Sequence, residues 1–475
     1  MSGQIIADDG NYLKFFMIKL LVFAHVALFV ITLFPRRGVE KIRTLAIPVG
    51  LAFLYTSAVQ GWAAAHSLGI GLDLNDVRVA LWVSLLSYLA FLLAYYSAKG
   101  SDRRTQVYFS DSSMDTLRLN GFGLLFFVAG ALGYYLSIQS VGGWRAYLNL
   151  EDWSANLYET SGYIYMLKYA SYAAVAFWLL SLALDSLPAK LHALLILLML
   201  WLLFEAVQST DRGDTIRASL PIVAWVYFIT RKPRHLGKFV LWGNGIILLI
   251  LLSVGMAVVL LPEFRDKDRS LLRSEVTLFE AVQHSEEKKG SSRGSESGGE
   301  FDTGARIIKR INAGEIHPPG PVHFARWIWN LVPRALVPEK HELFAQWAGP
   351  NYEAVRYGCI SYEGCSSTGW AEAYGMMGWF GALVYWLALG FGVRRFEGWI
   401  GPSMVGFVVS AICYLPLIQL VMQDFWAGAM NASIVVVPVL IIFNWCRKQI
   451  TARPTSARNA QARRHTPTQT TRLAG

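Results

Sequence analysis

Long apolar runs alternate with short polar connections over most of this chain. A helix needs roughly 20 apolar residues to cross about 30 Å of hydrocarbon. Runs near that length recur at 15–34, 45–65, 79–98, 120–138, 163–184, 191–207, 215–230, 239–261, 369–392, 401–422 and 428–446. The pattern predicts an all-α polytopic membrane protein with about eleven transmembrane helices. Two membrane portions, 1–261 and 369–446, flank one long connection, 262–368. Within it, 282–304 is rich in Ser, Gly, Glu and Lys, too polar to bury, and is expected to be mobile. Residues 305–349 regain apolar and aromatic positions, and Ala305 to Asn312 has helical spacing, so this part should form a small cap over the membrane domain. The tail, 447–475, is basic and rich in Thr, Ala and Arg, and is expected to be disordered near anionic lipid.

Charge fixes the orientation. The first connection holds Arg36, Arg37, Lys41 and Arg43, and every second connection after it is also basic, including Arg103 and Arg104, Lys190, Arg231 to Lys238, and Arg394 and Arg395. Lys and Arg stay on the cytoplasmic side, which puts the N-terminus outside, the C-terminus inside and 262–368 outside. The net charge of +10 therefore reflects topology, and no nucleic-acid partner is expected. Only 16% of residues are charged against 54% hydrophobic, too few charges to cover a soluble globule. Phe15 to Phe34 is too long for a signal h-region and no small-residue cleavage site follows it, so it reads as a retained first span.

Ionisable residues gather at the outer ends of the spans, where isolated charges at membrane depth are costly and mark function. Asp211, Arg212, Asp214 and Arg217 surround Gly213 before a short seventh span, more charge than snorkelling at a helix end needs. A second cluster, Arg334 between Pro333 and Pro338 followed by Glu339, Lys340, His341 and Glu342, suits an anionic or hydroxylated ligand; a solvated loop is the plainer reading. The third begins the ninth span, where Glu372 lies in a first helical turn that favours negative charge. Gly142-Gly143-Trp144-Arg145 opens an aromatic-rich outer connection. Lys19 and His25 are the main charged or ionisable residues within spans, fewer than a transporter should carry. Cys359 and Cys365 lie close together in the outer loop, where either a disulfide or two partly buried thiols is possible. No His pairs with the cysteines at zinc-ligand spacing, so no metal centre is expected.

Three of these stretches resemble the O-antigen (Wzy-type) polymerases and related exopolysaccharide repeat-unit polymerases. Ser209-Thr210-Asp211-Arg212-Gly213 is similar to their Ser-Arg-Gly element, and Val332 to Lys340 to a Pro-Arg…Pro-x-Lys element late in their outer loop. Trp370 to Gly381 is similar to the Glu-x-Tyr-x-x-x-Gly-x-x-Gly pattern that opens a span. The related O-antigen ligases place a His just before that pattern, where this chain has Ser366, Ser367 and Thr368, which argues against transfer onto a lipid A core.

The resemblance implies a multi-pass protein of the bacterial inner membrane with a large periplasmic loop, acting as a metal-independent glycosyltransferase without a cofactor. Its substrate would be an oligosaccharide repeat unit on undecaprenyl diphosphate, its surroundings membrane lipid, and its partner in some systems a chain-length regulator. The growing glycan would leave its lipid diphosphate and pass to a hydroxyl of the incoming unit. Guanidiniums can stabilise the departing diphosphate, for which Arg212, Arg334, Arg145 and Arg217 are candidates, with Lys340 beside them. The acceptor hydroxyl needs a base, for which Glu372, Glu339, Asp211 and His341 are candidates. Trp144, Trp153 and Tyr158 could stack on sugar faces, although interfacial aromatics are common. Two other classes fit the same outline. One is a lipid-linked oligosaccharide transporter. The other is a glycosyltransferase fed by a polyprenyl-phosphate sugar, for which Asp73, Asn75 and Asp76 in the first outer loop supply an acidic cluster.

Overall fold

The computed structural model describes residues 9–33, 44–67, 72–98, 114–148, 167–209, 300–315, 368–400, 404–423 and 432–446, with a few single positions between them. Spans 239–261 and most of 215–230 lie outside the described residues, as do Asp211, Arg212, Arg217, Arg334, Lys340, His341, Cys359 and Cys365. The described chain is helical throughout, without a β-strand. Among the described residues four helices are long and apolar enough to cross a membrane: Asn11–Leu33, Leu74–Ser97, Thr116–Ser140 and Gly369–Ile400. Ala170–Ala183 and Val408–Met422 are shorter apolar helices. This is the architecture of an α-helical membrane protein.

Helix α1 is Asp9–Leu33. Helix α2 runs through Ala46–Phe53, a π-helical turn Leu54–Val59, and Gln60–Ser67. Helix α3 is Leu74–Ser97, α4 Thr116–Ser140, α5 the short Trp144–Leu148, α6 Ala170–Ala183 and α7 Ala189–Ser209. Helix α8 is Glu300–Asn312, α9 Gly369–Ile400, α10 Met404–Met422, and α11 a π turn Ala432–Val436 continued by Val437–Trp445.

Apolar side chains cover the long helices on every side, as membrane solvation requires. Their starts are set by polar caps outside the apolar runs. Asp73 accepts a hydrogen bond from Asp76 N at 2.8 Å while Asp76 accepts one from Asp73 N at 3.0 Å, a reciprocal capping box. Asp115 accepts from Leu117 N and Arg118 N at the head of α4.

Helix α3 is the hub. Of its apolar window 56% is buried, against 22% for α1, and it packs most extensively on α9. Small residues let these helices close on each other. A Cβ on Gly390 of α9 would run into the Phe91 carbonyl oxygen of α3 and lie 3.2 Å from Ala94 Cβ. Gly390→Ala should therefore force α9 away from α3 and cost about 1–3 kcal/mol. Gly392→Ala, whose Cβ meets nothing within 4 Å, should be neutral or stabilising. Thermal unfolding of the purified variants checks the contrast; equal melting points would remove the close α3–α9 contact.

Polar groups inside the bundle pair across helices. His25 of α1 bonds the Leu21 carbonyl at 2.9 Å and Ser84 Oγ of α3 at 3.2 Å, and Ser84 also bonds Ser57 in the π turn of α2. A ring protonated on Nδ1 satisfies both contacts. Thr32 bonds Tyr88 at 2.8 Å one step further along the same seam. His25 is thus a satisfied link between α1, α2 and α3, and Lys19 is exposed with its ammonium 5.1 Å from the Phe15 ring.

The ends of the helices sort into two sets. At one, Glu397 of α9 accepts from Leu45 N at 2.5 Å, from Tyr95 Oη at 2.6 Å and from Arg394 at 3.2 Å, joining the start of α2, the end of α3 and the end of α9. The opposite end gathers the end of α2, the start of α3 and the start of α9, and α8 lies across it.

Helix α8 has one apolar side. Phe301, Ala305 and Ile308, spaced i, i+4 and i+7, are buried with Gly304 and Ile307, while Lys309 is exposed. Burying Phe301, Ile307 and Ile308 contributes roughly 2 kcal/mol apiece. Glu300 and Asp302 in the first turn and Lys309 and Arg310 in the last match the helix dipole. Composition alone places residues 300–304 with the polar mobile stretch. They are instead the first turn of this helix, because Phe301 anchors them against α2 and Trp370.

Candidate functional site

Two polar constructions stand at the end of the bundle that carries α8. The first is the junction of α8 with the start of α9. Gly304 permits the approach: a Cβ there would come within 2.8 Å of Thr368 Oγ1 and 2.9 Å of Ala371 Cβ. The Phe301 and Trp370 rings meet at 5.6 Å, and Tyr374 donates to Asn312 Oδ1 at 2.6 Å. Gly320 N donates to the Met376 carbonyl at 2.9 Å. Gln60 bonds Glu300 and accepts from Phe301 N, and Lys309 pairs with Asp76 at 2.8 Å. The bond to Asp76 raises the Lys309 ammonium above its usual range, while partial burial raises the Asp302 carboxyl.

Beneath α8 lies Glu372. It occupies the first turn of α9, as its spacing predicts, with Glu372 N bonded to the Thr368 carbonyl at 2.9 Å and only 2% of the residue exposed. A helix N-terminus accommodates a buried carboxylate better than most sites because its free N–H groups carry partial positive charge. The helix is then interrupted. Met377 and Gly378 leave helical geometry, Gly378 at φ 61°, where a side chain would be strained. Gly369 to Met376 is thus a separate, wholly buried half-helix.

The second construction joins α4, α6 and α7. Helices α6 and α7 form a tight antiparallel hairpin closed by a Schellman turn, with Asp185 in the left-handed region at φ 53° and Asp185 N and Ser186 N bonding the Leu182 and Ser181 carbonyls. Lys168 and Glu205, roughly equidistant from that turn, therefore meet at the far end. Lys168 Nζ donates to Glu205 Oε1 at 2.7 Å, with the side chains 3% and 4% exposed. Tyr134 of α4 donates to the other carboxylate oxygen. Gly133 brings α4 against the Lys168 backbone: a Cβ there would lie 2.6 Å from Lys168 N.

Over this cluster α5 is folded back. Gly142 and Gly143 adopt φ 94° and 96°, and their N–H groups bond the Gln139 and Ile138 carbonyls at the end of α4. The turn leaves Tyr147 buried and lays Trp144 beside it at 6.0 Å and beside Trp201 of α7 at 5.8 Å. Trp201 meets Tyr134 edge-on at 5.4 Å. Trp144 and Arg145 remain exposed.

Of the residues expected from sequence, Glu372 is enclosed at the α8–α9 junction, Trp144 and Arg145 sit on α5, and Glu339 is exposed. The geometry adds Lys168, Glu205, Tyr134 and Trp201. Opposite charges at matching ends of consecutive antiparallel spans were the available signal for the first two. The acidic cluster of the first outer loop is occupied: Asp73 and Asp76 cap α3, Asp76 also holds Lys309, and Asn75 accepts from Arg78 at 2.6 Å. Cys413 and Cys446 are buried free thiols. No protein-family model, curated protein or solved structure matches this chain.

Proposed function

We propose that this chain polymerises oligosaccharide repeat units carried on undecaprenyl diphosphate at the periplasmic face of a bacterial inner membrane. The single observation that carries the reading is Glu372, buried in the first turn of the half-helix that bears the polymerase-like pattern and roofed by α8 from the long connection. An enclosed carboxylate beside a large polar loop suits deprotonation of an acceptor hydroxyl away from bulk water. The complete arrangement would have eleven spans, the N-terminus outside, the basic tail inside and 262–368 in the periplasm, as the charge alternation requires.

The incoming unit presents a sugar hydroxyl, and Glu372 takes its proton as the oxygen attacks the anomeric carbon of the growing glycan. The bond from that carbon to the lipid diphosphate breaks, and the diphosphate leaves with the electron pair. Arg212 and Arg334, with Arg145, Arg217 and Lys340 around them, balance the developing charge; Asp211, Glu339 and His341 are the alternative bases. Engagement of Asp73 and Asp76 in capping and in the Lys309 pair weighs against the polyprenyl-phosphate-sugar reading.

A transporter is the second reading, favoured by the interrupted α9 and the buried Lys168–Glu205 pair, both features of substrate paths through membranes. Deleting the gene in its host separates the readings. Gels of the polysaccharide beside extracted lipid-linked intermediates should show single repeat units accumulating with the ladder lost. Repeat units retained on the cytoplasmic face would establish the transporter instead, and a unit lacking one sugar would establish a plain glycosyltransferase.

A further inference from the structure

We infer that Trp144 is a sugar-stacking subsite, held in place by Trp201, Tyr147 and the buried Lys168–Glu205–Tyr134 cluster; the inference rests on the polymerase reading and names the part of the substrate this face takes. An interfacial anchor needs only to place its ring at the headgroup level near the end of a span. Here two consecutive glycines in the positive-φ region turn the chain back, so that α5 packs inward on the end of α4. The Trp144 ring then lies against two further aromatic rings, 24° from Tyr147 and 33° from Trp201, while 46% of the residue stays exposed. An aromatic ring braced by two others and still partly exposed suits stacking on the C–H face of a pyranose ring, with Arg145 next in sequence to bond hydroxyls.

Beneath the rings a buried ion pair and a tyrosine hydroxyl tie the ends of α4, α6 and α7 together. Trp201 lies one turn before Glu205 on α7, so the bonds from Lys168 and Tyr134 that fix Glu205 also fix the ring under Trp144. A platform meant only to float at the lipid interface needs no such support.

The test uses the full chain in lipid nanodiscs and two probes: lipid-linked repeat units extracted from the host strain lacking this gene, and undecaprenyl diphosphate bearing no sugar. Trp144→Ala should weaken equilibrium binding of the repeat-unit lipid on the order of tenfold and leave the bare lipid unchanged. Trp144→Phe should restore most of the loss. Equal weakening for both probes would make Trp144 a lipid anchor, and unchanged binding of both would remove the subsite; either outcome overturns the inference. Wild-type protein that fails to bind the repeat-unit lipid would overturn the polymerase reading itself, and the subsite with it.

Discussion

Lys168→Met is expected to destabilise the protein by on the order of 3–5 kcal/mol, because it leaves the Glu205 carboxylate buried without its cation. The ammonium and carboxylate are 2.7 Å apart and almost wholly enclosed, so no water is at hand to replace the lost partner. Glu205→Leu should also destabilise, because it takes the carboxylate from the enclosed ammonium and leaves that ammonium beside the Tyr169 ring 5.4 Å away. The paired variant Lys168→Met/Glu205→Leu should recover most of the loss, since an apolar pair removes both desolvation penalties at once. A remainder of about 1–3 kcal/mol should persist from the Tyr134 hydroxyl, now without its acceptor, and Tyr134→Phe in that background should remove it. Unfolding of the four variants in one detergent, read as a double-mutant cycle, measures the coupling directly. Additive single effects would mean the two side chains do not form the buried pair described here.

That pair also marks where sequence reasoning stopped. Spans at 15–34, 79–98 and 120–138 were legible because apolar runs of that length have one physical explanation in water. The helices begin earlier than the runs because Asp73 and Asp115 cap them from outside the apolar window. Lys168 and Glu205 lie 37 positions apart in the sequence, and nothing in the apolar pattern pairs them. Their union depends on the Asp185 turn and on Gly133 admitting α4, neither of which leaves a mark on hydrophobic periodicity. The π turn of α2 is silent for the same reason: one extra residue in a helix that is apolar all round changes no pattern. At α8 the helical spacing was visible from Ala305. Its true start was hidden because Glu300, Asp302, Thr303 and Gly304 are polar or small, with Phe301 the lone anchor. For the site, Glu372 was visible through its helix-start position, whereas the packing of α8, a helix distant in sequence, on α9 was not.

Glu372→Gln, Arg212→Ala and Arg334→Ala are each expected to abolish long polymer while the protein still inserts in the membrane. Glutamine keeps the size and hydrogen-bonding reach of Glu372 but cannot accept the acceptor's proton, so turnover should fall roughly 10²- to 10⁴-fold. Because the residue is buried in a helix's first turn, a purely structural role predicts something different: Glu372→Gln would lower stability modestly and leave chain length intact. Each arginine removed should cost about 10²- to 10³-fold if it balances charge on the leaving diphosphate. Arg→Lys should restore only part, because an ammonium cannot bridge two phosphate oxygens as a guanidinium does. The measurement is the length distribution of surface polysaccharide in a deletion strain complemented by each variant, with membrane levels of the protein determined in parallel. Accumulated single repeat units at normal protein levels would support the assignment. A normal ladder from Glu372→Gln would move the base to Asp211, Glu339 or His341, and normal ladders from both arginine variants would end the case for diphosphate stabilisation at those positions.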